Sequence, residues 1–510
     1  LTHVTQVWIY TLTRAIKMSS LIPVWPGASY APHQEVGIHW MIQQEVLGYC
    51  VIHDETKAET VVRGGILGDE MGLGKTFQSL GLIVNSLSYG AKKTLIVSPL
   101  AVKKQWIDAA NRCGVNLFVP QQWGKKWICV VDAGADKPIV HVAHYDKIAN
   151  TEELCKGQAY DRIILDEAQT IRNAKTKKAQ SILQIPATYK WVLTATPIVN
   201  DMKDAVTYLK FIGFPIKGSG SWRDYYETWV RNCYLARTLD CCEAPAGLTM
   251  PPTPIVENRD LEFTNDDEAR IYTAIYENLE SQWRKAQALQ GRAYMLAKFS
   301  ILLRLRQISV NPQIYIKARQ KEFFGWTGPE FTEVSRKFDE ITHLLRESHE
   351  AGQANRWIIF CQFHEEMEML AAYLKAFPFV GSVLQYHGGL SAKHRAAAID
   401  ASHIASDNGK QDVFLVQLQA GGTGLNLQHY DRVIFVSPWW TSALLDQARG
   451  RVVRIGQKNI VKVYWLKLKT EASCSFNIDQ FMMEKADTKR VLGETFLRWS
   501  RPSVGEIAAP

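Results

Sequence analysis

Gly68-Asp69-Glu70-Met71-Gly72-Leu73-Gly74-Lys75-Thr76 is a glycine-rich turn that ends in Gly-Lys-Thr. Such a turn can cradle the phosphates of a nucleoside triphosphate. Its glycines let successive N–H groups point inward at phosphate oxygens, and the helix that follows adds the partial positive charge of its N-terminus. Lys75 would reach the β- and γ-phosphates, and the Thr76 hydroxyl would ligate Mg2+. Asp69 stands where the general pattern has its first glycine, so the match is to a variant loop. A second candidate is Asp166-Glu167, the acidic pair that closes the apolar run Arg162–Leu165. In phosphoryl transfer Asp166 would hold Mg2+, usually through water, and Glu167 would orient and deprotonate the attacking water. Alone, such a pair is more often a solvated strand end; beside a phosphate loop it reads as a hydrolytic pair.

These residues need elements that bring them to one edge. Gly65-Ile66-Leu67 reads as a short buried strand, and Phe77, Leu80, Ile83, Val84 and Leu87 recur at helical spacing up to Gly90. Further apolar runs lie at 94–99, 139–144, 162–167 and 190–196, and again at 356–361, 382–386, 412–417, 431–437 and 461–466. Short runs that end in polar residues and alternate with helical stretches are the pattern of buried parallel strands, whose carboxyl ends bind ligands. Two series imply two α/β lobes. Between them, 214–260 is rich in Pro, Gly and aromatics, with Met250-Pro-Pro-Thr-Pro254 as a stiff linker. Residues 267–308 read as helix, opened by Thr264-Asn-Asp-Asp267. The expected plan is an N-terminal segment at 1–30, a first lobe at 31–213, a linker and helical insertion at 214–334, a second lobe at 335–485 and a tail at 486–510.

The 510 residues suit two or more domains, and 46% hydrophobic with 22% charged residues is the composition of a globular protein. With 59 basic and 51 acidic residues the net charge is +8, compatible with an acidic polymer as partner. Nine cysteines show no Cys-x-x-Cys spacing, and Cys241 and Cys242 are adjacent, which is poor geometry for a tetrahedral site. Reduced thiols without structural zinc are expected, in a nuclear or cytosolic compartment. No apolar stretch reaches membrane-spanning length, and the start at Leu1 suits a fragment.

From about residue 31 to 490 the sequence resembles the Swi/Snf-type ATPases of helicase superfamily two, whose fold is two RecA-like lobes with parallel sheets joined by a largely helical insertion. Asp69–Thr76 is similar to that family's phosphate loop, including its first-position Asp, and Pro32–Met41 resembles the segment whose glutamine, here Gln34, reads adenine. Ser98-Pro99-Leu100 with Gln105-Trp106 resembles a nucleic-acid-contacting motif, Asp166-Glu167-Ala168-Gln169 the acidic box, and Leu193-Thr194-Ala195-Thr196-Pro197 the motif that couples hydrolysis to movement. In the second lobe, Phe360-Cys361-Gln362-Phe363, His387–Ser391 and Gln419–Leu427, with Gly422, Thr423 and Asn426, match in order, and Leu302–Gln307, Ser335-Arg336-Lys337 and Pro438-Trp439-Trp440 also have family counterparts. Gln447-Ala448 through Arg451–Gln457 is the most specific match.

By that resemblance Arg451 and Arg454 are arginine fingers for the γ-phosphate, and hydrolysis requires lobe closure. The plain alternative is a surface arginine pair on one helical face. Gln169 stands where the family usually has His, Ala195 where Gly is commoner, and Gly450 and Val453 replace an Asp and a His. Gly450 would weaken its helix by up to about 1 kcal/mol. The wording around Asp166 and Thr196 is similar to the helicase-like transcription factor and lodestar branch, without the RING many of its members insert. The resemblance implies a nuclear ATP- and Mg2+-dependent translocase on double-stranded DNA, with nucleosomes as a possible substrate. A strand-separating DNA or RNA helicase and a hydrolysis-deficient DNA-binding relative are the competing readings. Lys92-Lys93, Lys103-Lys104, Lys125-Lys126 and Lys175 with Lys177-Lys178 are phosphate-contact candidates, each more often a solvated face.

Overall fold

The computed structural model describes residues 20–52, 59–200, 203–214, 232–245, 247–323, 328, 330–353, 355–406, 409–421, 425, 427–470 and 474–500. Gly422, Thr423 and Asn426 lie outside the described residues, as do most of the expected N-terminal segment and 501–510. Two units form, one built mainly on residues up to Met250 and including Arg454–Gly456 and the chain from Lys489, the other on Pro251–Val453 and Gln457–Thr488. Both are α/β.

The first unit carries helix α1 (Pro32–Val46), the antiparallel pair β1 (Tyr49–Ile52) and β2 (Glu59–Val62), then β3 (Gly64–Leu67), α2 (Lys75–Asn85), β4 (Lys93–Ser98), α3 (Leu100–Arg112), β5 (Asn116–Pro120), β6 (Trp127–Val131), β7 (Ile139–His144), α4 (Tyr145–Asn150), β8 (Tyr160–Asp166), α5 (Lys177–Leu183), β9 (Ala187–Leu193), α6 (Asp204–Ile212) and β10 (Tyr234–Leu235). The eight-stranded sheet runs β10-β3-β9-β8-β4-β7-β5-β6 and is parallel except for the β5–β6 hairpin. That hairpin brackets Trp123–Lys126, a surface turn. Ile66, Leu95, Val97, Ile163, Leu165 and Val192 enter one core, while Leu67, Ile96, Ile164, Trp191 and Leu193 enter the other. This is the period of two that a sheet covered on both faces requires.

Register decides what reaches the edge. Leu67 of β3 pairs with Leu193 of β9, and Leu193 pairs with Asp166 of β8. The residues after these strands therefore leave the sheet together, which brings the phosphate loop, Glu167 and Thr194 to one side. Helix α1 is fixed to the sheet by a buried ion pair: Arg162 Nε and Nη2 donate to the two Glu45 carboxylate oxygens at 2.5 Å, and Trp191 Nε1 adds a third bond at 2.8 Å.

In the second unit, six parallel strands run β11-β16-β15-β12-β14-β13, comprising β11 (Ile255–Leu261), β12 (Arg356–Cys361), β13 (Val380–Tyr386), β14 (Gln411–Gln417), β15 (Arg432–Phe435) and β16 (Lys462–Leu468). Helices α7 (Asp266–Ala286), α8 (Gly291–Val310) and α9 (Pro312–Glu322) precede α10 (Arg336–Glu350). Asn265 Oδ1 accepts the Asp267 and Glu268 N–H groups and so caps α7. Segment 214–260 does more than link. It supplies β10 to the first sheet and β11 to the second. Among the described residues, no helix is long and apolar enough to cross a membrane.

Candidate functional site

The phosphate loop leaves β3 at Gly68 and enters α2 at Lys75. Gly74 is the N-cap of α2 in the left-handed region, φ 82°, and a Cβ there would sit 2.6 Å from Gln34 Nε2. Only glycine fits that combination without strain. Gln34 Nε2 and His33 Nε2 both contact the Leu73 carbonyl, at 3.2 and 3.0 Å, while Gln34 Oε1 accepts the Ala31 N–H. Gln34 thus braces the loop with the same amide proposed to read adenine. Lys75 Nζ donates to the Asp69 carbonyl at 2.6 Å. Its ammonium is folded into the loop, where phosphate oxygens would compete for it. Met71, Gly72 and Thr76 are half-buried and Leu73 is buried.

A second layer, marked by no sequence pattern, holds this loop. Gly68 N–H donates to the Leu235 carbonyl at 2.7 Å and Glu70 N–H to the Arg237 carbonyl at 2.8 Å, so the chain after β10 runs alongside the loop's start. Arg237 forms an ion pair with the fully buried Asp69 at 2.6 Å, and Leu239 N–H donates to Glu70 Oε2 at 2.8 Å. Arg237 also donates to the His33 carbonyl and Gln78 Oε1. The carboxylates of Asp69 and Glu70 are therefore spent on this clamp. A two-residue strand has no periodicity to read, which is why Arg237 escaped notice.

Asp166 and Glu167 stand at the end of β8. Trp106 Nε1 donates to Asp166 Oδ2 at 2.7 Å, and the Tyr145 hydroxyl donates to the Asp166 carbonyl at 2.8 Å. Burial, then the neighbouring Glu167 charge, raise the Asp166 carboxyl to about 6, against the opposing pull of Trp106 and Lys75. Glu167 has φ 48°, the one positive φ at a non-glycine residue among the described residues. Left-handed backbone at a side chain of this kind is strain held by its surroundings, and it clusters at functional sites. Gln169 Nε2 donates to Glu167 Oε2 at 2.7 Å, and the Thr194 hydroxyl donates to Gln169 Oε1 at 2.9 Å. Thr196 N–H donates to Thr194 Oγ1, Ala195 is half-buried, and the buried Thr196 hydroxyl has no hydrogen-bond partner among the described residues.

The segment expected to contact a polymer is partly turned inward. Trp106 is 1% exposed and faces Asp166, so it positions the carboxylate. Ser98 is also buried, its hydroxyl on the Pro99 carbonyl; Pro99 is the N-cap of α3, and the exposed residue there is Leu100.

In the second unit the matched segments also converge. Lys337 is buried, with Nζ 2.6 Å from Asp479 Oδ2 and 2.8 Å from Ser437 Oγ. Gln362 Nε2 donates to the Pro438 carbonyl at 3.0 Å and its amide oxygen accepts from Arg306, whose guanidinium lies 4.3 Å from the Trp439 ring centre. Burial lowers Arg306 to about 10. Helix α11 (Ser442–Arg449) contains the buried Gln447 and ends before Gly450, which caps it with φ −66°. Arg451 and Arg454 follow in a turn, so they do not share a helical face, and Gly450 does not carry the penalty of a helix interior. Gln457 anchors that turn by donating to the Gln428 and Tyr430 carbonyls at 2.9 and 3.0 Å.

Residues 33–251 match the SNF2-related domain and residues 336–456 match the helicase conserved C-terminal domain. A relative described as the probable global transactivator of Orgyia pseudotsugata multicapsid polyhedrosis virus is 26% identical over 94% of this chain and 95% of its own length. The DNA repair protein RAD5 of Candida albicans is 23% identical over 85% of this chain and 56% of its own length. The ISWI chromatin-remodeling complex ATPase ISW1 of Saccharomyces cerevisiae is 24% identical over 94% and 42%. The chain thus spans nearly all of the viral relative and about half of the other two. Repair and remodelling relatives are matched alike, so the helicase-like transcription factor and lodestar branch is not singled out. Two consecutive parts of this chain are thus similar to an SNF2-related domain and to a helicase conserved C-terminal domain.

Proposed function

We propose that the protein is an ATP-dependent double-stranded DNA translocase of the Swi/Snf type, acting in the nucleus in chromatin remodelling or DNA repair. The observation that carries this reading is the relay from Glu167 through Gln169 to Thr194, set at the strand ends that also launch the Lys75 loop. It ties a candidate base to the neighbouring strand, as coupling of hydrolysis to movement requires. Lys75 would give up the Asp69 carbonyl for phosphate oxygens, and the loop N–H groups would complete the cradle. Glu167, held by its backbone and by Gln169, would take a proton from the attacking water. Thr76 and Asp166 are the oxygen donors suited to Mg2+, which when bound neutralises charge on the phosphate oxygens. The raised Asp166 carboxyl, a buried acid lacking a full counter-charge, fits that role. Arg451 and Arg454 are proposed as the arginine fingers.

The polymer is supported by relatives named for DNA repair and chromatin remodelling and by the net charge of +8. The test is ATP hydrolysis in the presence of duplex DNA, single-stranded DNA or RNA. Duplex-specific stimulation without strand separation is expected. Stimulation by RNA, or by single strands with unwinding, would instead favour a strand-separating helicase, and no turnover at all would make the chain a hydrolysis-deficient binding protein.

A further inference from the structure

The clamp on the phosphate loop ends in two adjacent thiols that ATP hydrolysis does not use. Cys241 is exposed, Cys242 is half-buried, and their sulfurs are 4.0 Å apart. Cys241 closes the short turn Leu239–Cys241, in which its sulfur accepts the Thr238 N–H at 3.4 Å and lies 3.6 Å from the Thr238 hydroxyl. That turn presents the Leu239 N–H to Glu70 and directly follows Arg237, the partner of Asp69. In the reduced state the Cys241 sulfur is thus a structural acceptor in the turn that grips two residues of the loop.

We propose that Cys241 and Cys242 form a vicinal dithiol site that reacts with disulfide-class oxidants, closes to a reversible Cys241–Cys242 ring, and thereby loosens the phosphate loop. The consequence for ATP rests on the reading of Gly68–Thr76 as its site. In the first step the Cys241 thiolate attacks one sulfur of the external disulfide, forming a mixed disulfide and expelling the other half as a thiol. In the second, Cys242 attacks the Cys241 sulfur and expels the remaining half as a thiol. The protein loses two hydrogens and two electrons, and the external disulfide gains them. Burial and the neighbouring Cys241 raise the Cys242 thiol to about 12, so Cys241 is the thiol that reacts first.

Ring closure must move the geometry the clamp depends on. The sulfurs have to approach from 4.0 Å to the roughly 2.05 Å of a disulfide, which takes Cys241 away from the Thr238 N–H. Adjacent residues have Cα atoms about 3.8 Å apart, short of the roughly 4.4–6.8 Å of relaxed disulfides. Such a ring is readily reduced again, as a reversible site requires.

The experiment treats the reduced full chain with dithiodipyridine, blocks remaining thiols, and weighs the tryptic peptide Thr238–Arg259. Two further readouts are the affinity for a fluorescent ATP analogue and the rate of native trypsin cleavage after Arg237. The expected result is a peptide lighter by two hydrogens, an affinity lower by about tenfold or more, and faster cleavage, all reversed by dithiothreitol. Changing the exposed Cys50 and Cys129 to Ser should leave these responses intact. Cys242→Ser should bind the analogue normally when reduced and lose the ring, since its Cys241 can go no further than the mixed disulfide, and with the ring the full response. No ring, a ring that changes neither readout, or an undiminished response in Cys242→Ser would overturn the proposal. If the reduced chain binds no ATP analogue, the ATP reading fails, while ring formation and cleavage after Arg237 still decide this one.

Discussion

The Thr194 hydroxyl donates to Gln169 Oε1 at 2.9 Å, and the same amide donates from Nε2 to Glu167 Oε2 at 2.7 Å. One side chain therefore connects the ends of β8 and β9. An amide suits this position because it accepts at one end and donates at the other. Gln169→Ala should leave ATP affinity unchanged and lower DNA-stimulated turnover by about tenfold, the worth of a charge-assisted hydrogen bond. Thr194→Val should behave similarly, and the double variant should be no worse than the more damaged single one, because the two act through one relay. Steady-state hydrolysis checks this; strictly additive losses would contradict a shared path.

Lys75 and Glu167 serve different steps and should separate on mutation. Lys75→Ala removes the cation that meets the phosphates and should weaken ATP binding together with hydrolysis. Glu167→Gln keeps the shape of the side chain and should hold ATP while blocking turnover. Direct binding titration beside single-turnover hydrolysis distinguishes them, and equal losses of affinity would refute the two roles.

The acid limb of the pH profile should belong to Asp166. Its carboxyl is raised to about 6, mainly by burial, so it gains a proton as pH falls through that value and stops serving a cation. The affinity of the metal-free protein for Mg2+ should therefore fall below about pH 6, and turnover at limiting Mg2+ with it. Trp106→Phe removes a hydrogen bond to the charged form and should move the limb toward higher pH. The stability sign follows from the same shift. A carboxyl with a raised folded-state value favours folding below its unfolded value near 4, and this is lost as pH rises through about 6. Metal-free Asp166→Asn should accordingly melt above the parent at pH 7 and not at pH 4.

Asp69 and Arg237 form a pair with side chains 0% and 12% exposed. Arg237→Met leaves a buried carboxylate without its counter-charge, which costs about 3–5 kcal/mol. Adding Asp69→Asn should restore much of that loss. Chemical denaturation measures both, and a stable Arg237→Met would show that the clamp does not hold the loop.

Strand ends, the phosphate loop and the acidic pair were legible because each has a local signature: a run of apolar residues, glycines at fixed offsets, a carboxylate pair after a strand. What escaped depends on facing and distance. Trp106 and Ser98 lie in a segment that resembles a polymer-contacting motif, but the pitch of α3 turns the indole inward to Asp166, and Ser98 is the buried last residue of β4. Arg237 lies 168 residues from Asp69, in a stretch whose Pro, Gly and aromatic content reads as linker. Helix α11 stops at Arg449, although the run through Arg454 looks continuous, because Gly450 caps it.

Arg451 and Arg454 are the proposed arginine fingers. Neither belongs to the loop that would dock the nucleotide, so neither should set its affinity. The backbone fixes this turn: the Arg451 carbonyl accepts the Leu427 N–H at 3.1 Å, and Gln457 pins its far end. Arg454→Ala should consequently fold normally and bind ATP about as well as the parent, yet lose DNA-stimulated hydrolysis by roughly a thousandfold, the scale at which arginine fingers act in phosphoryl transfer. Arg454→Lys should recover little, since a point charge lacks the planar fork that holds two phosphate oxygens. A pair of ordinary surface arginines would give little change in any of these measurements. Full stimulated turnover in a folded Arg451→Ala, Arg454→Ala double variant would remove the arginines from the mechanism and leave Lys75, Asp166 and Glu167 to act without them.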